Sequence, residues 1–123
     1  MKLALICLNT NDVERLVAFY TQVLGVKAEG DSTHAELNTE GAHLVIFPVE
    51  GMEDMAPGSM HGAGSGSVTI GFEVEDIVAE YAKFQKLGIP IVKPLQTHPW
   101  GSRSFWFRDP DGNIVDFFAT VKA

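Results

Sequence analysis

Near the end of the chain, in FRDPDGNIVDFFA (residues 107–119), a single carboxylate, Asp116, stands inside an otherwise apolar run. An acid there suits acid–base chemistry, metal ligation or the anchoring of a polar ligand, or it marks the solvent side of an edge strand. A second proton-exchanging group is His43 in GAHLVIFP. It could pair with Asp116 as acid and base, or it is a half-buried sheet histidine with a local hydrogen bond. Cys7 is the one cysteine. With no base beside it in sequence, it reads as a small buried hydrophobe rather than a nucleophile. Trp100 and Arg103, in HPWGSRSF, offer a flat stacking face with a cation nearby, or they cover a sheet edge. Trp106, Phe72 and Phe118 suit core or pocket equally, while His34 and His98 fall near strand ends or turns and read as surface groups.

The elements that must position these groups follow from periodicity. Val13, Leu16, Val17, Tyr20, Val23 and Leu24 form one face of an amphipathic helix, with Asn11 or Asp12 to cap it and Gly25 to end it. Residues 2–8, 26–29, 33–38 and 42–48 read as strands, and NTEG joins the last two through Gly41. The pattern then returns. A strand at 67–74 precedes a helix with Ile77, Tyr81, Phe84 and Gly88 on one stripe, and strands follow at 91–94, 104–108 and 113–120. VLGV at 23–26 recurs as KLGI at 86–89, and Asp12-Val13 as Asp76-Ile77. The chain therefore reads as an α+β protein of two βαβββ modules, 1–50 and 67–123, joined by a Gly/Met/Ser-rich linker over 51–66. The stretch 49–67, with Met52, Met55 and Met60, is expected to be irregular: a plain connection, or an adaptable lid. One helix covers one face of each sheet, so the other face needs a partner, either the other half or a second chain.

Composition narrows the classes. A formal charge of −7 opposes binding to nucleic-acid phosphates and mildly favours a neutral or cationic ligand. No apolar run approaches the roughly 18 residues of a membrane span. The N-terminal MKLALICLNTND lacks the pattern of a signal peptide, so a cytoplasmic location is expected.

The paired modules, with LNTNDVERLVAFYTQVLGV, EVEDIVAEYAKFQKLGIPIV and above all WGSRSFWFRDPDGNIVDFF, resemble the vicinal oxygen chelate superfamily of glyoxalase I, extradiol dioxygenases, fosfomycin-resistance enzymes and bleomycin-resistance proteins. The resemblance spans essentially the whole chain. It implies mixed sheets curving round a pocket, and in the metal-dependent members four inward ligands, usually His and Glu. Carried onto this sequence, those positions hold Leu5, Val45, Thr69 and Asp116. Two hydrocarbons, a hydroxyl and one acid do not hold a divalent ion, which wants three or four nitrogen, sulfur or charged oxygen donors. No metal and no cofactor are therefore expected, and the metal-dependent activities are in doubt. Asp116 would pair with Thr69, water or a ligand. Trp100 and Arg103 match a stretch beside the ligand groove in bleomycin-resistance-like members.

The expected role is thus binding of a small organic molecule, cationic or aromatic, in an apolar metal-free pocket, in the manner of antibiotic-sequestering relatives. The expected ligand-binding residues are Leu5, Cys7, His43, Val45, Thr69, Trp100, Arg103, Asp116 and Phe118. The chain is expected to form a homodimer, without nucleic acid or membrane partners. Whether it is an enzyme stays open. The alternatives are a lyase, dioxygenase or transferase using His43 and Asp116, directly or through an ion placed differently, and a dimeric interaction module with no small ligand.

Overall fold

Asp12 opens the first helix because its carboxylate accepts the Arg15 backbone N–H at 3.1 Å, and Asp76 repeats the device on Ala79 at 3.0 Å. Each helix ends on a glycine in the left-handed region, Gly25 (φ 67°) and Gly88 (φ 68°). These stops bound α1 (Val13–Leu24) and α3 (Ile77–Leu87) in the computed structural model, which describes residues 1–121. The strands are β1 (Leu5–Thr10), β2 (Ala28–Asp31), β3 (His34–Leu37), β4 (His43–Pro48), β5 (Thr69–Glu73), β6 (Ile91–His98), β7 (Ser102–Arg108) and β8 (Ile114–Thr120). The order is βαβββ, a short helix, then βαβββ, an α+β fold of two mixed sheets.

The chain divides into two compact units, residues 1–64 and 65–123. In the first, the sheet order is β1-β4-β3-β2, with β1 parallel to β4 and the other pairs antiparallel. Leu16, Tyr20 and Val23 of α1 are buried, as are Leu37, Leu44 and Ile46 of the sheet. By the two-residue strand period, Glu36, His43, Val45 and Cys7 take the face away from the helix. In the second unit the order is β5-β8-β7-β6, again with one parallel pair, β5 with β8. Phe84 of α3 packs on Phe105, Phe107 and Phe117, with ring centroids 5.2, 4.4 and 5.5 Å away. These four rings are at most 1% exposed and form the core of the unit.

One stretch departs from expectation. Residues 49–67 are not irregular throughout, because Val49–Met55 forms a helix, α2. It has no side-chain cap and buries none of its residues, so it left no apolar stripe to read. The turn DPDG is as expected. Asp109 Oδ1 accepts the backbone N–H of Asp111 (3.0 Å) and Asn113 (2.9 Å), and Oδ2 accepts Asn113 Nδ2 (3.0 Å). Gly112 turns the chain at φ 91°. The buried Asp109 is thus a structural acid, unlike its neighbour seven residues on.

Candidate functional site

The site builds from one row of side chains across the second sheet. Phe105, Phe107 and Phe117 face α3, so the alternating Trp106 and Asp116 face the other way. Register places Gly71 beside Asp116, Asp116 beside Trp106, and Trp106 beside Lys93. Each strand contributes one member: nothing, an acid, an indole and a cation. Lys93 Nζ lies 5.3 Å from the Trp106 ring centroid. It donates to Ser104 O (3.0 Å), Ser104 Oγ (3.0 Å) and His98 Nε2 (3.2 Å). Since an ammonium only donates, this last contact is a hydrogen bond in the neutral form of His98, with Nε2 accepting. Ser104 Oγ lies 3.1 Å from the same nitrogen. The other face of His98 belongs to Trp100, stacked at 4.4 Å and 5°.

Burial raises the Asp116 pKa above the ordinary carboxylate value, against the opposing pull of the Lys93 charge, the Trp106 indole N–H and His98. Burial lowers the Lys93 pKa, and Asp116 opposes that shift. The two groups therefore hold each other's charge in place. The indole N–H lies near enough to the carboxylate to lower its pKa, yet neither Asp116 Oδ1 nor Trp106 Nε1, both buried, completes a well-formed hydrogen bond. One is an acceptor and the other a donor, and they stand side by side. Gly71 leaves the flank of the carboxylate bare. A Cβ there would touch only the Phe118 ring, at 3.5 Å.

The residues singled out in sequence fall into three places. Asp116 and Phe118 share the open face of β8. Thr69 stands opposite Ile114, two positions from the Asp116 register, and is exposed; Gly71 holds the place beside the acid. Trp100 is at the mouth of the cluster, 76% exposed. Arg103 alternates to the helix side of β7, where its Nε donates to Thr97 Oγ1 at 3.0 Å. In the first unit, Leu5 stands beside His43 and Cys7 beside Val45. His43 Nδ1 engages Glu36 Oε1, a carboxylate on the adjacent strand. Burial pushes the Cys7 thiol up, opposed by Asn9 Nδ2 donating to its sulfur at 3.6 Å, so the thiolate is disfavoured. Lys93, Ser104 and Glu36 were not singled out in sequence. His98, read there as a surface group, is half-buried inside the hydrogen-bonded cluster.

The donor set does not fit a divalent ion. Leu5 and Val45 supply no ligand atom, and among the described residues no three His, Cys, Asp or Glu side chains come together. No described helix is long and apolar enough to cross a membrane.

Comparison with known proteins places this architecture. The chain belongs to the glyoxalase/bleomycin resistance protein/dioxygenase superfamily, whose family model matches residues 2–117. The Bacillus subtilis (strain 168) protein YwbC is 30% identical over 118 residues, covering 87% of this chain and 88% of that one. A glyoxalase/bleomycin resistance protein/dioxygenase family enzyme from Burkholderia phytofirmans PsJN superposes with a TM-score of 0.84 at 16% identity, over 98% of this chain and 100% of that one. A lactoylglutathione lyase from Agrobacterium tumefaciens gives a TM-score of 0.77 at 24% identity, over 94% and 91%. At these identities the structures establish the fold alone.

Proposed function

We propose that the chain binds a small organic molecule on the open face of the second sheet, without a metal ion. The observation behind this reading is the row Gly71, Asp116, Trp106, Lys93, in which two buried polar atoms lack a well-formed hydrogen bond beside a bare glycine. Burying an unpaired acceptor or donor costs about 1–3 kcal/mol. A guest that satisfies both recovers that cost on binding. Trp106, Trp100 and Phe118 offer planar surfaces, which favours an aromatic guest. A cationic guest would find Asp116 already faced by Lys93, so its gain there is reduced. Sequestration of such a compound, as in the bleomycin-resistance branch of the superfamily, is the simplest role.

A screen of small aromatic compounds by thermal shift, run in the presence of chelator, tests this reading. Hits should lose their stabilising effect in Asp116→Leu, which removes both the acceptor and the charge. Hits that survive this change, or that need added metal, would contradict it. A second reading rests on the Glu36–His43 pair, where a carboxylate orients an exposed imidazole at the start of β4. That arrangement suits a general base. It predicts a turnover that His43→Ala abolishes.

A further inference from the structure

We infer that the site selects a planar group carrying a hydrogen-bond donor next to an acceptor, namely a neutral carboxamide, lactam or ureido group. The inference rests on the binding role proposed above and goes further by naming the chemical class. Asp116 and Trp106 are register partners on adjacent antiparallel strands, so their side chains stand together on one face. Asp116 Oδ1 can only be satisfied by a donor, and Trp106 Nε1 only by an acceptor. A cation such as a primary ammonium serves the first and leaves the indole N–H orphaned. A ketone or carboxylate serves the second and leaves Oδ1 orphaned, and a carboxylate would also meet Asp116 as a like charge. An amide presents N–H and C=O in one plane, and a single group completes both bonds.

The surroundings support the same class. The three donor contacts of Lys93 already go to Ser104 and His98, so the ammonium is committed within the protein. Lys93 also occupies one face of the indole ring, and the N–H edge, near Asp116, is the polar feature of Trp106 left without a well-formed hydrogen bond. The absent side chain at Gly71 gives a flat group access beside the carboxylate.

The test uses three probes of similar size on the full chain: benzamide, acetophenone and benzylammonium. Each is titrated while the indole N–H resonance of Trp106 is followed by NMR, assigned by its loss in Trp106→Phe. Benzamide should bind about tenfold more tightly than either of the others, a difference of about 1.4 kcal/mol, and should move the indole proton downfield. Trp106→Phe should remove its advantage over benzylammonium. Asp116→Leu should remove its advantage over acetophenone. Gly71→Val should weaken all three by filling the flank of the carboxylate. If benzylammonium binds tightest, the amide class is wrong while the binding site stands. If the indole resonance ignores all three probes, because Trp106 and Asp116 pair with each other, both the class and the site fall.

Discussion

Lys93→Met keeps the aliphatic stem and deletes the ammonium. Three hydrogen bonds and a contact with the Trp106 ring disappear, yet Ser104 Oγ and His98 Nε2 can still satisfy each other at 3.1 Å. The loss that no neighbour repairs is the bond to the Ser104 carbonyl. A hydrogen bond from a charged donor is worth about 1.5–3 kcal/mol, less here because the ammonium is partly screened by solvent and its own desolvation cost is relieved. We expect a net destabilisation of about 1.5 kcal/mol at pH 7, or roughly 6 °C in Tm for a chain of this length. A second effect falls on Asp116. Its folded pKa already lies above the unfolded value of 3.8, so the folded state holds the proton more tightly. That shift costs nothing below the unfolded pKa. The cost grows as pH rises from there and is fully present above the folded pKa. Removing the opposing Lys93 charge raises the folded pKa further. The destabilisation by Lys93→Met should therefore shrink as pH falls through the folded Asp116 pKa toward 3.8, and this pH-dependent part should vanish in the Asp116→Asn background. Urea denaturation at several pH values measures the stability, and carboxyl-carbon NMR follows the Asp116 titration. An unchanged Asp116 titration in Lys93→Met would show that the two charges do not face each other and would refute the reasoning.

Other expectations concern the turn, metal and assembly. Asp109→Ala strands two backbone amides and the Asn113 side chain, and should cost about 3 kcal/mol by denaturant titration; a loss below about 1 kcal/mol would show that the turn holds itself. Purified protein should contain well under one divalent ion per chain by elemental analysis, and chelator should leave its melting temperature unchanged. The edge strand β1 and the residues before it expose Leu3, Leu5 and Ile6, 70%, 54% and 37% accessible, as a homodimer interface would require. Sedimentation at micromolar concentration should give twice the chain mass, and a monomer of 13.4 kDa would count against it.

The fold was legible because its punctuation is local. Asp12 and Asp76 cap, Gly25 and Gly88 stop, and Asp109 to Gly112 turn the chain, each by chemistry confined to a few residues. The placing of Asp116 on the face away from α3 was legible for the same reason, since β8 keeps a strict two-residue period. Its neighbours on β6 were hidden. The pairing of β6 with β7 slips between Ile91 and Lys93, and again between Lys93 and Gln96. The second slip inserts one residue around Pro94, which an edge strand tolerates because a missing N–H there breaks no inner ladder. It also reverses the alternation, so Lys93 and His98, at odd and even positions, reach the same face. Strict alternation along VKPLQTH separates them. Gly71 was passed over for a different reason: a residue without a side chain shows its importance only through what stands beside it.

The most direct measurement of the central claim is the map of amide and side-chain NMR shifts produced by a bound amide-bearing aromatic compound in metal-free solution. The account predicts that the shifts centre on Gly71, Lys93, His98, Trp106 and Asp116. Shifts centred instead on the groove of about 410 Å³ between α1 and β2, lined by Val13, Val17, Ala28 and Asp31, would contradict it.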